Sequence, residues 1–467
     1  MIIRRIIAIL FAVTVLFSTP AHAEKREVLL KQIALNMAHR EMFATSSFAA
    51  LDQGMNAVQR GYETGLWSDA LLWSLFGWPF AGRDDALKEI YDAWVSAYPK
   101  SYAARVARAS YYIDHASFNW GKPVQKDAEG KETGAEIAIK YAEVAFKDCT
   151  AALKLSSKPI HAYARLMVLH ALSGDMEKSR EILLQANAAV PLNILARHQY
   201  ILLIAENDKV DASTRLSEMR KFMRETRKEN LPPQHVIAVS NVYHGQLLEQ
   251  SQYALLDEEM NAIQADYEAG KMNDRLLDSF FAVFDMSTDP TLEEKYGAWI
   301  AAFPKSYAAR QARARYLSGL GWEARGEKLM KDTTGKEVSG MELYMQRAMQ
   351  DALAAIPLAS KPILSYKTVY RISMAFGDHD MRKKAVQYGK TIDPRNTVVR
   401  YANMFGLQTK WGGSLKEMEE CLAEAKAAGI VDETIILMED LLLQEKLYLA
   451  NEMKDEYSKI GQLVTGF

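Results

Sequence analysis

The sequence has few of the features that identify a disulfide-stabilised protein or an enzyme. Two of its 467 residues are cysteines, Cys149 and Cys421, which can form one pair in an oxidising compartment but no disulfide framework. The motifs HExxH, GxSxG and GxxxxGK(S/T) are absent, and no Cys/His spacing is typical of a metal site. We therefore predict no metal and no cofactor and assign no catalytic residue. An enzyme stays an alternative, because acid–base pairs are assembled in space and leave no local motif.

An excess of one charge is also lacking. Lys and Arg number 57 against 59 Asp and Glu, which gives a net charge of −2. This balance predicts no general attraction to nucleic acid or to an anionic membrane surface. The composition, 49% apolar and 25% charged, is that of a globular protein rather than a disordered one.

The single apolar run of note is short and lies at the N-terminus. Arg4 and Arg5 precede apolar residues 6–17 and the triplet Ala-His-Ala at 21–23, a pattern typical of a secretory signal peptide. The run is shorter than the roughly 20 residues of a membrane-spanning helix. We expect cleavage near Ala23 and a mature protein that is periplasmic or secreted, without stable insertion in a membrane.

An internal repeat with an offset of about 205 residues is the most informative feature present. Tyr98–Arg105 recurs as Phe303–Arg310, and roughly half the positions between 48 and 109 have an identical residue at this offset. After the signal peptide, 1–23, the repeat predicts two modules, 24–228 and 229–467. Polar residues followed by a Pro pair at 232–233 mark the join, since Pro stops a helix.

Both modules have the patterns of helices and almost none of strands. In the first, apolar residues recur at helical spacing between 48 and 62, and Ser101 stands at an N-cap position after Pro99. Helices are predicted at 160–173 and 176–189, joined by Gly174 and capped by Asp175, and the second module repeats this hairpin around Gly377-Asp378. Glycine-rich residues 121–135 and 326–340 are predicted as loops.

Two resemblances follow from these segments. A helix–turn–helix with Gly in the turn and Pro after the second helix resembles a tetratricopeptide-type unit, although the usual Trp, Leu-Gly and Tyr positions are poorly kept. A longer pattern, Trp, then Pro-x-Ser-Tyr-x-x-Arg, then Trp-x-x-Arg-Gly, resembles a family of bacterial domains of unknown function. In this chain the pattern and a further Trp-Gly-Gly-Ser element comprise Trp299, Pro304, Ser306, Tyr307, Arg310, Trp322, Arg325, Gly326 and 411–414. The resemblance implies an all-α fold of tandem tetratricopeptide-like helical-hairpin solenoid modules and carries no known activity.

The candidate binding residues are tryptophans and arginines at helical spacing, because a guanidinium group beside an indole can bind a carboxylate or a phosphate. They are Trp322, Arg325 and Trp411 in the second module, and Trp94, Arg105, Arg108, Trp299, Arg310 and Arg313 in the repeated segment. The alternative for the repeated arginines is a structural role, in which each caps a neighbouring helix or pairs with Asp52 or Glu63 and their repeats. Trp322 and Arg325 occur in the second copy alone, since Ser117 and Trp120 stand at the matching positions of the first.

Two further clusters have structural interpretations. Asp378-His379-Asp380 suggests a metal site, but an Asp after a turn glycine is an ordinary helix N-cap. The aromatic run of the first module, which comprises Trp67, Trp73, Phe76, Trp78 and Phe80, predicts a local core or a contact between modules, with an exposed partner site as the alternative.

Stacked helical hairpins form grooves that accept peptides or proteins, an argument by analogy with the fold. We therefore predict an exported, non-catalytic binding or scaffold protein that recognises a protein or peptide partner in the cell envelope. The alternative is a helical enzyme, or an enzyme accessory, that acts on an envelope polymer.

Overall fold

The computed structural model describes residues 41–67, 69–77, 84–120, 125–126, 132–285, 287–326 and 333–464. These residues fall into two compact units that divide between Gln246 and Leu247. The predicted signal peptide, and Trp78 and Phe80 of the aromatic run, lie outside the described residues. The predicted join of the modules at 228–229 coincides with the end of one helix, and the module boundaries stay a prediction.

Unit 1 consists of antiparallel helices. Its one small sheet pairs two strands of two residues each, β1 (Gln125–Lys126) and β2 (Glu132–Thr133). The helices in chain order are α1 (Phe48–Glu63), α2 (Asp69–Gly77), α3 (Leu87–Ala97), α4 (Tyr102–Asn119), α5 (Ala135–Ala152), α6 (Ile160–Ser173), α7 (Met176–Ala189), α8 (Leu195–Ala205) and α9 (Ala212–Lys228). The next helix, α10 (Pro233–Glu249), contains the division between the units.

Unit 2 is built in the same way. Its helices are α11 (Tyr253–Glu268), α12 (Asp274–Phe281), α13 (Glu293–Ala302), α14 (Tyr307–Arg325), α15 (Gly335–Ala355), α16 (Ile363–Ala375), α17 (His379–Ile392), α18 (Val398–Gly406), α19 (Leu415–Ala427) and α20 (Asp432–Val464). Single 3-10 turns cover Ala282–Phe284, Pro290–Leu292, Ile356–Leu358 and Thr409–Trp411. Within the described residues, no helix is both long and apolar enough to cross a bilayer.

The predicted hairpins are confirmed, and their turn residues explain them. Gly174 has φ +88° and ends α6, a left-handed conformation that costs glycine little. The Asp175 carboxylate then accepts from the Lys178 N–H and caps α7. Asp378 caps α17 by accepting from Met381, which is the predicted N-cap. The antiparallel pairs α6–α7 and α16–α17 pack side by side with their neighbours, so the fold is an all-α, tetratricopeptide-like repeat.

One predicted loop is too long. Residues 326–340 were expected to be irregular, but α15 already begins at Gly335. The Thr334 hydroxyl accepts from the Glu337 N–H, and the Glu337 carboxylate accepts from the Thr334 N–H. This reciprocal capping box satisfies two backbone donors, which offsets the low helix propensity of Gly335 and Gly340 in the helical part of the segment.

Candidate functional site

Trp94 and Trp299, two of the predicted binding residues, are fully buried. Trp94 on α3 donates from Nε1 to Asp52 Oδ1 on α1 at 3.2 Å. Trp299 on α13 makes the same contact with Asp257 on α11 at 2.9 Å. The indole rings therefore join two helices within each unit, and this geometry favours a structural role for both tryptophans.

In unit 1, the arginines of the repeated segment converge on one buried carboxylate. Arg105 Nη1 lies 2.8 Å from Asp148 Oδ1, and Arg108 Nε lies 2.7 Å from Asp148 Oδ2. The side chain of Asp148 is 1% exposed. Arg108 also pairs with Asp92 at 3.1 Å, so its guanidinium joins α3, α4 and α5.

Unit 2 repeats this contact at Asp351 on α15. Arg313 Nε lies 2.6 Å from Asp351 Oδ2, and Arg310 Nη1 lies 3.7 Å from Oδ1. The expectation that Asp52 or Glu63 would be the partner is wrong, because the carboxylate that both arginines share in each unit, Asp148 or Asp351, comes from the helix after them. Glu63 instead accepts from the N–H of residue 157 at 3.0 Å. These ion pairs favour the structural interpretation of the four repeated arginines.

The first module's aromatic run forms local core where it is described. Phe76 is 2% exposed and its ring centroid lies 5.1 Å from that of His161. Trp73 lies with its ring edge-on to His198 at 5.9 Å, and Trp67 packs on the backbone of Gly61. These contacts favour the local-core interpretation over an exposed patch.

Unit 2 has a partly buried charge cluster that the sequence does not indicate. Lys367 Nζ lies 2.6 Å from Asp278 Oδ2, and Arg315 pairs with both Asp278 and Asp285. Burial raises the pKa of the Asp278 carboxyl, but Lys367 and Arg315 outweigh burial and hold this pKa well below its usual range. The cluster has two positive and two negative charges, which compensate one another within the scaffold.

The structure brings together Trp322, Arg325 and Trp411, the three candidates specific to the second module. The two indole rings meet edge-to-face, with centroids 5.9 Å apart and an interplanar angle of 76°. The Arg325 guanidinium carbon lies 5.8 Å from the Trp322 centroid and 5.9 Å from the Trp411 centroid. We call these three residues the Trp–Arg cluster. All three side chains are partly exposed, so the cluster is accessible from solvent.

The Trp-Gly-Gly-Ser element positions Trp411. The 3-10 turn closes with Trp411 N–H donating to the Gln408 carbonyl at 2.9 Å. Gly412 follows with φ +84°, and a Cβ on Gly413 would lie 2.2 Å from the Leu407 carbonyl oxygen. Ser414 then caps α19. Each residue of the element thus has a structural role. Trp411 supplies the indole, the two glycines form a turn that larger residues would strain, and Ser414 caps the next helix.

Arg325 differs from the repeated arginines in its partners. Its one hydrogen bond in the described part of the chain runs from Nη1 to the Gly326 carbonyl at 3.3 Å, and no described carboxylate pairs with it. Gly326 has φ +70° and ends α14. Arg325 therefore belongs to the last turn of this helix, where a cation also complements the partial negative charge of the C-terminus.

Two residues of the site were not predicted. Lys410 Nζ lies 6.0 Å from the Trp411 centroid and 5.2 Å from that of Phe405, and its position next to Trp411 in sequence was the available signal. Glu445 on α20 accepts from the Thr409 N–H at 2.9 Å and from the Thr409 hydroxyl. Nothing in the sequence around Glu445 indicates this contact.

The cluster offers hydrogen-bond donors and positive charge. The indole N–H groups of Trp322 and Trp411 are buried and have no acceptor among the described residues. A buried donor without an acceptor costs about 1–3 kcal/mol, whereas the positive charge of Arg325 and Lys410 is what the cluster offers to a ligand at its surface. In the described ranges, no group of His, Cys, Asp and Glu side chains is arranged to hold a metal ion.

The helical hairpins of both units define a helical repeat protein. Residues 215–402 match a domain of unknown function, DUF4034. The matched segment contains Trp322 and Arg325 and ends before Trp411. A comparison with curated proteins finds no match.

Solved structures with similar helices are distant. They include the crystal structure of yeast Tom70 (11% identity, 92% of this chain and 99% of that chain, TM-score 0.27). A structure of Naa15/Naa10 bound to HypK-THB shares 15% identity over 84% of this chain and 68% of that chain, with a TM-score of 0.16. A circular tandem repeat protein with novel repeat topology shares 13% identity over 92% of this chain and 99% of that chain, with a TM-score of 0.21. At these TM-scores the similarity adds nothing to the argument from the site.

Proposed function

We propose that the protein is an exported, non-catalytic binding or scaffold protein that recognises a protein or peptide partner in the bacterial cell envelope through the Trp–Arg cluster. The observation that carries this proposal is the state of Arg325. The arginines of the repeated segment have buried carboxylate partners, whereas Arg325 lies beside two indole rings with a single backbone hydrogen bond. Tryptophan and arginine are the residues that most often dominate binding energy at protein interfaces.

The proposal includes two tandem copies of one module with unequal roles. Equivalent contacts in the two units support the duplication. Asn56 donates to Ser101 at 2.9 Å and Asn261 to Ser306 at 3.0 Å. The Trp–Asp and Arg–Asp contacts described above are likewise equivalent. In the first copy, Ser117 and Trp120 occupy the positions of Trp322 and Arg325, and the Trp-Gly-Gly-Ser element of Trp411 is absent. Shared residues maintain the module, and the second module carries the binding site.

The export proposal is supported by the sequence of the first 23 residues, which has the order of a secretory signal peptide. Comparing an N-terminal truncation with the full chain tests export directly. Removing residues 2–23 is expected to leave the protein in the cytoplasm, whereas the full chain is recovered from the periplasm or the medium at a mass that corresponds to cleavage near Ala23. Cytoplasmic recovery of the uncleaved full chain would contradict export.

The contacts of the described carboxylates favour binding over the enzyme alternative. Asp148 and Asp351 are tied to arginines. Asp69 caps the start of α8 by accepting from the Leu195 N–H at 3.1 Å. Glu439 pairs with a lysine at 2.7 Å. Carboxylates held in this way within the scaffold are not free to act as a general acid or base.

Photo-crosslinking at matched positions tests the binding proposal. The photoreactive residue p-benzoylphenylalanine replaces Glu323, which is exposed beside the cluster, or Phe118, which occupies the corresponding position of unit 1 and is 52% exposed. In producing cells, we expect discrete protein adducts from position 323 that are absent from position 118. Arg325→Ala combined with Trp411→Ala should abolish them without loss of the fold.

Two results would refute the proposal: adducts that are equal at the two positions, or adducts that persist in the double variant. Circular dichroism of the double variant provides the folding control. Lys416→Ala is the matched control for charge, because Lys416 is a highly exposed cation of the same unit with one long ion pair of 3.9 Å.

A further inference from the structure

The charges around Trp411 are unbalanced. Arg325 from the end of α14 and Lys410 from the 3-10 turn both lie within about 6 Å of its ring centroid. Neither has a carboxylate partner in the part of the chain that the structure describes. Glu417, an acidic residue close in sequence, is hydrogen-bonded to the Ser414 hydroxyl at 2.8 Å. Among the described residues, the site therefore has two cations against an aromatic surface, and no carboxylate pairs with either of them.

The hydrogen-bonding groups of Arg325, Trp322 and Trp411 are all donors. A guanidinium group carries five N–H donors and no acceptor, and Arg325 uses one of them on Gly326. The indole N–H groups of Trp322 and Trp411 add two buried donors without acceptors among the described residues. A ligand that fits must bring negative charge and acceptor oxygens together.

The position at a helix end selects the type of anion. The cluster lies at the C-terminus of α14, where the partial charge is negative. Phosphate carries about −1.5 to −2 at neutral pH and is typically bound at helix N-termini. A carboxylate carries a single charge, and its two oxygens match the planar fork of the guanidinium. The geometry therefore favours a carboxylate.

The aromatic half of the site is held rigidly. Glu445 is 3% exposed and anchors Thr409, the first residue of the 3-10 turn, through its backbone N–H and hydroxyl. Gly412 and Gly413 complete the turn in conformations that larger residues disfavour. Glu445 is thus a positioning residue for Trp411 and Lys410, and a preformed site loses less entropy on binding.

We propose that the Trp–Arg cluster and Lys410 bind a carboxylate group of a peptide, either a C-terminal carboxylate or an Asp or Glu side chain. The proposal rests on the proposed function and names the ligand chemistry of that site. Arg325 provides the bidentate contact, Lys410 the second positive charge, and the indole rings the apolar walls.

Fluorine NMR of the full chain labelled with 5-fluorotryptophan tests this inference. Three peptides serve as probes: acetyl-Gly-Ala-Phe with a free C-terminus, its C-terminal amide, and acetyl-Gly-Asp-Phe-amide. We expect the Trp322 and Trp411 signals, assigned with Phe variants, to shift with the two acidic peptides and not with the neutral one. The Trp120 signal of unit 1 should not move. The tighter of the acidic peptides identifies the source of the carboxylate.

Variants separate the roles of the two cations. Arg325→Gln should weaken binding of the acidic peptide about tenfold or more, the effect of losing a charge-assisted hydrogen bond. Lys410→Gln should weaken it about two- to fivefold, as for a partly exposed charge pair. Unchanged dispersion of the other tryptophan signals shows that each variant is folded.

Three results would overturn the carboxylate assignment: equal shifts with the neutral peptide, no shift with any peptide up to about 50 mM, where millimolar affinities are detected, or stronger shifts with inorganic phosphate at matched ionic strength. The crosslinking experiment distinguishes this failure from that of the proposed function. Adducts that depend on Arg325 together with an unresponsive fluorine spectrum retain the binding function and reject the carboxylate. Acidic-peptide binding without any adduct would retain the carboxylate site and reject the proposed recognition of a partner in the cell.

Discussion

Acidification should destabilise unit 1 much more than unit 2, because buried histidines are concentrated in unit 1. His161 and His198 are 3% and 8% exposed. Burial, with a smaller contribution from Arg165, lowers the pKa of His161 from 6.5 to about 3, and burial lowers the pKa of His198 to about 4. The described part of unit 2 contains a single histidine, His379.

The sign and size follow from proton linkage. Both histidines are neutral in the folded state at pH 5, whereas in the unfolded state their ordinary pKa of 6.5 makes them mostly protonated. The unfolded state therefore binds more protons, so stability is complete above about pH 6.5 and is lost as the pH falls toward the folded-state pKa values. At about pH 5 each histidine costs about 2 kcal/mol, because 1.5 pKa units correspond to this energy.

Hydrogen exchange of the full chain, corrected for intrinsic rates and followed in peptides from each unit, measures this effect. Between about pH 7.5 and 5 we expect unit 1 to lose about 4 kcal/mol of unfolding free energy from His161 and His198. His235 adds to this loss, because burial lowers its pKa to about 4. The chain supplies matched substitutions, since Leu364 and Tyr401 occupy the corresponding positions of unit 2. His161→Leu and His198→Tyr should each remove about 2 kcal/mol of the loss. Equal pH dependence of the two units, or no change in these variants, would refute the reasoning.

Three further outcomes are expected. Asp148→Ala should lower the unfolding free energy of unit 1 in urea by about 3 kcal/mol, because it leaves two arginines without their buried partner, and Asp351→Ala should do the same in unit 2; a change below about 1 kcal/mol in either would contradict the structural role. Gly413→Ala should abolish the response of the fluorine signals to the acidic peptide by displacing the turn, whereas Gly429→Ala, which strains a φ of +65° with open space around it, should retain it. Glu445→Gln should weaken peptide binding while the circular dichroism spectrum stays unchanged, and undiminished binding would exclude a positioning role.

The hairpins could be predicted from sequence because their determinants are local. Gly174, Asp175 and the terminal Pro fix where one helix ends and the next begins, and each acts on the backbone within a few residues of itself. The same reasoning failed at 326–340, where the glycines indicated a loop while the capping box of Thr334 and Glu337 starts a helix. The glycines disfavour a helix there and the capping box favours one, and the sequence pattern does not show which effect is larger.

The contacts of the site depend on distances that sequence spacing does not contain. Asp148 looks like any acid of a charged helix, and only the packing of α4 against α5 makes it the partner of Arg108. Trp322 and Trp411 are separate candidates in the sequence because the matching positions of the first half of the chain lack both, and their ring contact arises from the folding of unit 2. Comparing the two halves of the sequence therefore identifies candidates, whereas tertiary packing determines which of them form one site.

The edge-to-face contact of Trp322 and Trp411 has an optical consequence. Among the aromatic contacts of the described residues, it is the one that joins two tryptophans. Indole transitions at this separation couple as excitons, so the pair should contribute a split signal to the circular dichroism spectrum that Trp322→Phe removes. That signal reports the integrity of this corner of unit 2 without any label, in the intact protein and during unfolding.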